Sequence, residues 1–371
     1  MLVIVGVVAL VAAATRDGFP DRVEPTTSAS SSPTDFGARL ADEPEVGVQF
    51  HATWSSYTHA ERTEILDRLQ DAGVQWVRID VGWGNHEPDA PGQIAQFYVD
   101  RVDAAVDGAR ARGMRVLLTS WLTPKWANHG AGARTPPDDP QDYARFMEWA
   151  ARHFRGRVDA WEIWNEPNLR ESYRGDARSY AALLKAAYPA VKAGDPAAKV
   201  VIGAPAYNDV DWLRALYAEG VQGSFDVMAT HPYQGFANAP PETPDDGTRG
   251  SFTHITAVHD LMIANGDADK PVWFTEFGWS NHPPPAGTPT WQWGVTDAQQ
   301  GDYLIRSLRW VATNAPYVTN VFWYTERNQT SGNAHLDNYG LLTSGLEPKP
   351  VYRALASYLA SPLSDQPAPE R

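Results

Sequence analysis

The run Asp159-Ala160-Trp161-Glu162-Ile163-Trp164-Asn165-Glu166-Pro167-Asn168 sets the reading of this chain. It is apolar and β-prone up to Trp164, then offers an amide and a carboxylate, then breaks at proline. A strand that ends in polar groups and turns at once into a loop is the unit that barrel proteins repeat around one face. The unit does repeat. Short β-like runs fall at residues 46–52, 76–81, 115–120, 159–164, 200–204, 226–230, 272–276 and 321–324. Between them lie amphipathic stretches with legible starts. Thr58 with Glu61, and Thr296 with Gln299, are capping-box pairs, and Asp139-Pro140 sets an N-cap ahead of a first-turn proline. Gly73, Gly113, Gly194, Gly220 and Gly266 stand where helices should stop before the next strand. Residues 350–359 supply a last helix. Eight β-then-α units predict an α/β fold, a single (β/α)8 barrel. An open doubly wound sheet would be expected to carry a glycine-rich phosphate turn after its first strand, and Thr53-Trp54-Ser55-Ser56-Tyr57 is no such turn.

Composition narrows the function. Hydrophobic residues make up 43% of the 371, ample for one large core, and the formal charge of -14 excludes nucleic acid and anionic membrane surfaces as natural partners. With no cysteine, disulfides and thiolate metal sites are ruled out. Fifteen Trp and fifteen Tyr are many. Flat rings of this kind stack on the C–H faces of sugars, although any single one also serves as core.

Residues 2–14 are an apolar run, too short for the ~20 residues of a membrane span. They read as a secretory signal with Ala12-Ala13-Ala14 at its end, or as an uncleaved anchor, since no basic residues precede the run. The Ser/Thr/Pro-rich stretch 15–44 reads as a linker, 45–362 as the barrel and 363–371 as a flexible tail. A secreted or cell-surface location and a monomer are expected.

A second string, Phe274-Thr275-Glu276-Phe277-Gly278-Trp279-Ser280, has the grammar of the first. Alone, either glutamate reads as a solvated strand-end charge. Together, two carboxylates at two strand ends, bordered by Trp, are what cleavage of a glycosidic bond requires: one to protonate the leaving oxygen, one to attack the sugar carbon or activate a water. The remaining strand ends add Arg78 and Asp80, Trp121 and Trp126, Asn165, His231 and Tyr233, and Trp323 with Glu326 and Arg327.

These strings resemble the acid/base and nucleophile motifs of retaining glycoside hydrolases of clan A, closest to families 39 and 5. The resemblance spans about residues 46–360 and implies a barrel enzyme without cofactor or metal that acts on a β-linked carbohydrate. By the resemblance, Glu166 is the acid/base and Glu276 the nucleophile. Asn165 would hold the sugar 2-hydroxyl, and Arg78 would keep the nucleophile ionised. His231 and Tyr233 would form the strand-6 pair, with the tyrosine donating to the nucleophile, and Trp323 would floor the sugar subsite. His51, Asp80, Trp121, Trp126 and Glu326 are candidates for the groove lining. Glu166 must start protonated, raised by its Trp neighbours and by the charge of Glu276. Family 39 xylosidases carry a further β-rich domain, so the sequence resembles shorter members and their substrate does not carry over. Transglycosylation at the same site, and a non-catalytic carbohydrate-binding barrel, are the alternatives.

Overall fold

A computed structural model describes residues 39–40, 42–283 and 287–363. The signal or anchor at 1–14, most of the 15–44 linker and nearly all of the tail lie outside these residues. Eight strands, β1 (Glu45–Gln49), β2 (Trp76–Gly82), β3 (Arg115–Trp121), β4 (Ala160–Ile163), β5 (Lys199–Ile202), β6 (Met228–Thr230), β7 (Val272–Phe277) and β8 (Val318–Trp323), form one parallel sheet in the order 5-4-3-2-1-8-7-6. Each is followed by a helix: α1 (His59–Asp71), α2 (Gln96–Arg110), α3 (Pro140–His153), α4 (Ala177–Gly194), α5 (Val210–Ala218), α6 (Ile255–Ala264), α7 (Asp297–Asn314) and α8 (Pro350–Leu359). The sheet closes where Val201 bridges Val227, with Asp226 N donating to Val200 O and Ile202 N to Val227 O. The fold is the expected (β/α)8 barrel.

Local chemistry accounts for the helix boundaries. Both capping boxes form, and the Asp139 carboxylate accepts from Gln141 N at 2.9 Å. Gly73, Gly113, Gly220 and Gly266 are left-handed, as chain reversal after a helix requires. Gly194 works otherwise. It ends α4 without a positive φ, and a Cβ there would lie 2.6 Å from Glu148 O and 2.7 Å from the Ala151 methyl, so it is a glycine because α3 and α4 touch backbone to backbone.

Alternation within the strands sorts side chains into barrel and helix layers. At the N-terminal end Trp76, Trp273 and Phe322 fill the barrel, and Gly47 leaves room for the Phe322 ring, 2.4 Å from where its Cβ would be. Glu45 closes this end, accepting from Trp76 Nε1 and Asn320 and pairing with Arg115. Above this apolar floor lies a layer of buried polar groups, and above that the C-terminal mouth. The folded part reaches further back than composition suggests. Arg39 N donates to Pro362 O at 3.1 Å, and Glu43 binds Arg39 and the Tyr358 hydroxyl, so Arg39 and Glu43 are tied to the end of the last helix. No helix among the described residues is long and apolar enough to cross a membrane.

Candidate active site

Strand β4 ends in strained backbone. Trp164 (φ 75°) and Glu166 (φ 45°) are both left-handed non-glycine residues, costing on the order of 1–3 kcal/mol each. Glu166 N donates to Ala204 O (3.1 Å) and Trp164 N to Ser120 O (2.9 Å), which pins this turn to both neighbouring strands. Gly203 permits it: a Cβ there would sit 2.3 Å from Ile163 O and 3.0 Å from Trp164 O. The turn brings Asn165 and Glu166 over the barrel axis.

Arg78, wholly buried on β2, organises the polar layer. Its Nε donates to Glu162 (2.8 Å), its Nη1 to Gln49 (2.6 Å) and Glu276 (2.7 Å), and its Nη2 to Asn165 Oδ1 (2.7 Å). With its oxygen committed to Arg78, Asn165 has its NH2 left to offer a ligand. Glu276 takes Arg78 on Oε1 and the Tyr233 hydroxyl on Oε2 (3.1 Å). Burial raises its carboxyl above the ordinary carboxylate range, with the Arg78 charge opposing the rise.

Glu162 is a functional residue that sequence reading passed over. It is completely buried, and accepts from Arg78, from Thr119 Oγ1 (2.6 Å) and from Thr275 Oγ1 (2.7 Å). Burial raises its pKa, but Arg78 and these donors hold it below the usual carboxylate range. The available signal was electrostatic: a charge inside a strand buried on both faces needs a partner, and Arg78 is the cation at a matching depth two strands away.

This ionised Glu162 fixes a tautomer. Thr275 has one hydroxyl proton and gives it to Glu162, so its oxygen must accept from His231 Nε2–H, 3.1 Å away. Burial lowers the pKa of His231 and keeps it neutral, which leaves a lone pair on Nδ1. That nitrogen lies 3.0 Å from Glu166 Oε1, so the proton between them comes from Glu166. The electrostatics agree: burial raises Glu166 to about 7, Arg78 opposing and the charges of Glu162 and Asp80 assisting. Glu162 and Asp80 thus join the expected repulsion between Glu166 and Glu276. Trp161 packs on Phe154 and Trp164 on Tyr173, and Leu169 and Tyr207 lie in a cluster with Tyr233, Tyr324 and Tyr339.

A donor atom of Glu166, His231 and Glu276 each lies within 4.8 Å of the other two. The two carboxylates therefore face one small space, although far apart in the chain. The same three atoms could hold a divalent cation, but they are already satisfied by one another and by Tyr233 and Arg78.

Trp323 does not meet the pocket. It is completely buried among Phe277 and Trp279 in the helix layer, and its indole N–H donates to Tyr339 O. Phe322 points into the barrel, so alternation sends Trp323 outward and brings Tyr324 inward, its ring edge-on to His51 at 5.7 Å. The strand-8 ring beside the carboxylates is Tyr324. Trp121 is buried, Trp126 half-buried with its N–H on Glu87 O, and Glu326 is fully buried against His51.

A profile of the cellulase family, glycosyl hydrolase family 5, matches residues 40–328. The chain belongs to this family. The chain thereby falls among the glycoside hydrolase families of clan A. Its β-xylosidase relative from Caldicellulosiruptor saccharolyticus is 25% identical over 321 residues, covering 79% of this chain and 63% of the xylosidase, so the chain spans under two thirds of that relative's length. A probable glucan 1,3-beta-glucosidase A of Aspergillus niger is 28% identical over 62% of the chain and 54% of that protein. Among solved structures, a family 39 glycoside hydrolase of Bacteroides cellulosilyticus shares the fold with a TM-score of 0.69 at 23% identity, over 87% of this chain and 65% of that one. A family 5, subfamily 18 protein from Streptomyces cattleya, solved with GlcNAc, does so at 0.67 and 21%, over 90% and 83%.

Proposed function

We propose that this glycosidase cleaves a β-linked oligo- or polysaccharide with retention of configuration, with Glu276 as nucleophile and Glu166 as acid/base. The observation that carries the reading is the carboxylate pair. Oxygens of the two lie within 4.8 Å, which fits the ~5–5.5 Å of retaining sites and leaves no room for the attacking water that ~6.5–9.5 Å admits. The pair is also electrostatically unequal, as the two roles demand. Glu276 faces two donors, Arg78 and Tyr233. Glu166 faces the lone pair of His231 and is buried with Oε2 unpartnered.

In the first step Glu166 gives its proton to the glycosidic oxygen as Glu276 attacks the anomeric carbon. The C–O bond to the leaving group breaks and a glycosyl ester forms. In the second, Glu166, now a carboxylate beside a neutral imidazole, takes a proton from water. The oxygen of that water attacks the anomeric carbon and frees Glu276. The His231 lone pair serves both steps, because it raises the proton affinity of Glu166. The β-glycosidase names of the relatives support a β-linked substrate, and the apolar run at residues 2–14 supports export.

Incubation with a 2-deoxy-2-fluoro glycoside should leave a covalent adduct on the peptide holding Glu276, and NMR of early products should show retained configuration. An adduct on another carboxylate, or net inversion, overturns the assignment.

A further inference from the structure

The strained turn that carries Glu166 is held by a side chain the two chemical steps do not use. Beyond Ile163 the backbone follows the β5 side for one more bond, Glu166 N donating to Ala204 O at 3.1 Å. There the ladder runs out. Pro167 has no N–H, and Glu166 O is taken by Leu169 N (3.0 Å) as the chain turns away. Ala206, two residues further along the β5 side, is buried, and both of its backbone groups need partners. The Asn168 side chain supplies them. Its Nδ2 donates to Ala206 O at 3.1 Å, and its Oδ1 accepts from Ala206 N at 2.8 Å. One carboxamide stands in for one residue of strand.

The amide is itself fixed. Its second N–H goes to Asp209 Oδ2 (2.9 Å), which also takes Arg249 Nη1 (2.9 Å). Asp209 Oδ1 caps helix α5 through Trp212 N (3.0 Å). A carboxylate paired with arginine accepts, so the Asn168 NH2 must face it and the amide oxygen must face Ala206 N.

The strip that Asn168 grips also carries the histidine partner of the acid. His231 N donates to Pro205 O (3.0 Å), Thr230 Oγ1 donates to Tyr207 O (2.8 Å), and Ala206 and Tyr207 both bridge His231. Glu166 and His231 therefore hang from one stretch, residues 204–207, and their 3.0 Å contact is measured across it. The left-handed backbone at Glu166 (φ 45°) persists only while its surroundings hold it. We infer that Asn168 is a positioning residue for acid catalysis: it latches the Glu166 turn to the strip that bears His231, and Asp209 orients its amide. The latch acts on the acid alone, since Glu276 takes its orientation from Arg78 and Tyr233. The inference rests on the reading of Glu166 as acid/base and adds Asn168 and Asp209 to it.

The test compares leaving groups. A fault confined to the acid slows substrates that need a proton and spares those that do not, whereas a loss of folded protein slows both alike. Asn168→Ala should lower kcat/KM about 100-fold on an alkyl glycoside or disaccharide, the cost of misplacing a catalytic group by about 1 Å, and change a dinitrophenyl glycoside by no more than about threefold. Asp209→Asn keeps an oxygen for the α5 cap but turns its NH2 on Asn168, and should show the same selectivity at smaller size. It leaves Ala206 its partners, so it carries the comparison if Asn168→Ala does not fold. A double variant, Glu166→Ala with Asn168→Ala, should be no slower on the alkyl glycoside than Glu166→Ala alone, because a latch without its acid has nothing to position. Equal losses on both leaving-group classes in the Asn168 or Asp209 variant, or a further loss in the double variant, overturn the latch and leave Glu166 as acid/base. Equal losses on both classes in Glu166→Ala itself sink the acid/base reading, and the latch with it.

Discussion

Replacing Thr275 with valine removes one hydroxyl that touches no substrate, and should move the pH at which the enzyme stops working. In the native protein Thr275 forces His231 to carry its proton on Nε2, so that Nδ1 meets Glu166 as a lone pair. Valine leaves Nε2–H buried without an acceptor. The other tautomer then wins, and Nδ1–H donates to Glu166. The change exchanges an acceptor for a donor at a carboxylate, and a hydrogen bond to a charged group is worth about 1.5–3 kcal/mol. At 1.36 kcal/mol per pH unit, the pKa of Glu166 should fall by about 1–2 units from its native value of about 7. The sign follows from the role. Glu166 must be protonated in the first step, so activity is lost as pH rises through its pKa, and a lower pKa moves that limb toward acid. The assay is kcat/KM against pH on an alkyl glycoside or disaccharide, whose poor leaving group needs the acid; this profile reports the free enzyme. A dinitrophenyl glycoside, which needs no proton, should keep its profile. Thr275→Ser, which keeps the hydroxyl, should restore the native limb. A limb that stays in place in the valine variant, or moves toward base, refutes the tautomer argument.

Other outcomes follow from the same network. Glu166→Ala should lower turnover of alkyl glycosides by ~10²–10⁴ while sparing the first step on good leaving groups, and added azide should rescue it as a β-glycosyl azide, identified by mass spectrometry and NMR. Arg78→Met leaves Glu162 and Glu276 buried without a counter-charge, and chemical denaturation should show a loss of about 3–5 kcal/mol. Both carboxyls would then have folded pKa values above their unfolded ones, so the variant should lose further stability as pH rises through that range. Gly203→Ala puts a methyl 2.3 Å from Ile163 O. A melting curve should register the ~1–3 kcal/mol of overpacking, and activity should fall because the Glu166 turn is displaced.

The strands were legible because each is an apolar run bounded by turn chemistry, and their errors lie at the ends. Strand β8 starts at Val318 rather than 321, because Thr319 and Asn320 look like loop, yet Asn320 points into the barrel and donates to Glu45. The positions of Glu166, Glu276, Arg78, Asn165, His231 and Tyr233 were legible because polar groups at strand ends stand out. Trp323 was misread for the opposite reason. In Val321-Phe322-Trp323-Tyr324 every residue is apolar or aromatic, so nothing in the sequence says which parity faces inward, whereas Arg78 and Asp80 declare theirs by charge. Glu162 and Thr275 escaped notice because their work is done through neighbours that only the closed barrel brings near. His51 and Glu326 are distant in the chain and meet only because β1 and β8 are adjacent.

The seam between β5 and β6 has a consequence for assembly. Strands β1 to β5 carry Arg78, Glu162, Asn165 and Glu166, and β6 to β8 carry His231, Tyr233, Thr275 and Glu276. The two arcs share a ladder between β1 and β8, while across the seam they meet through Val200–Ile202 against Asp226 and Val227 and, nearer the mouth, through bridges of Ala206 and Tyr207 to His231. The Asp226 carboxylate staples it, binding Val200 N, Tyr188 and Lys192. His231 approaches Glu166 over this seam. If it parts, Glu166 loses the imidazole lone pair and its burial together, and reverts toward the 4.5 of an ordinary carboxyl. A chain whose barrel has not shut therefore holds every residue of the site and still lacks an acid at neutral pH. Onset of activity in refolding should then coincide with amide protection at Ile202 and Val227, which makes catalysis itself a reporter of the last step of closure.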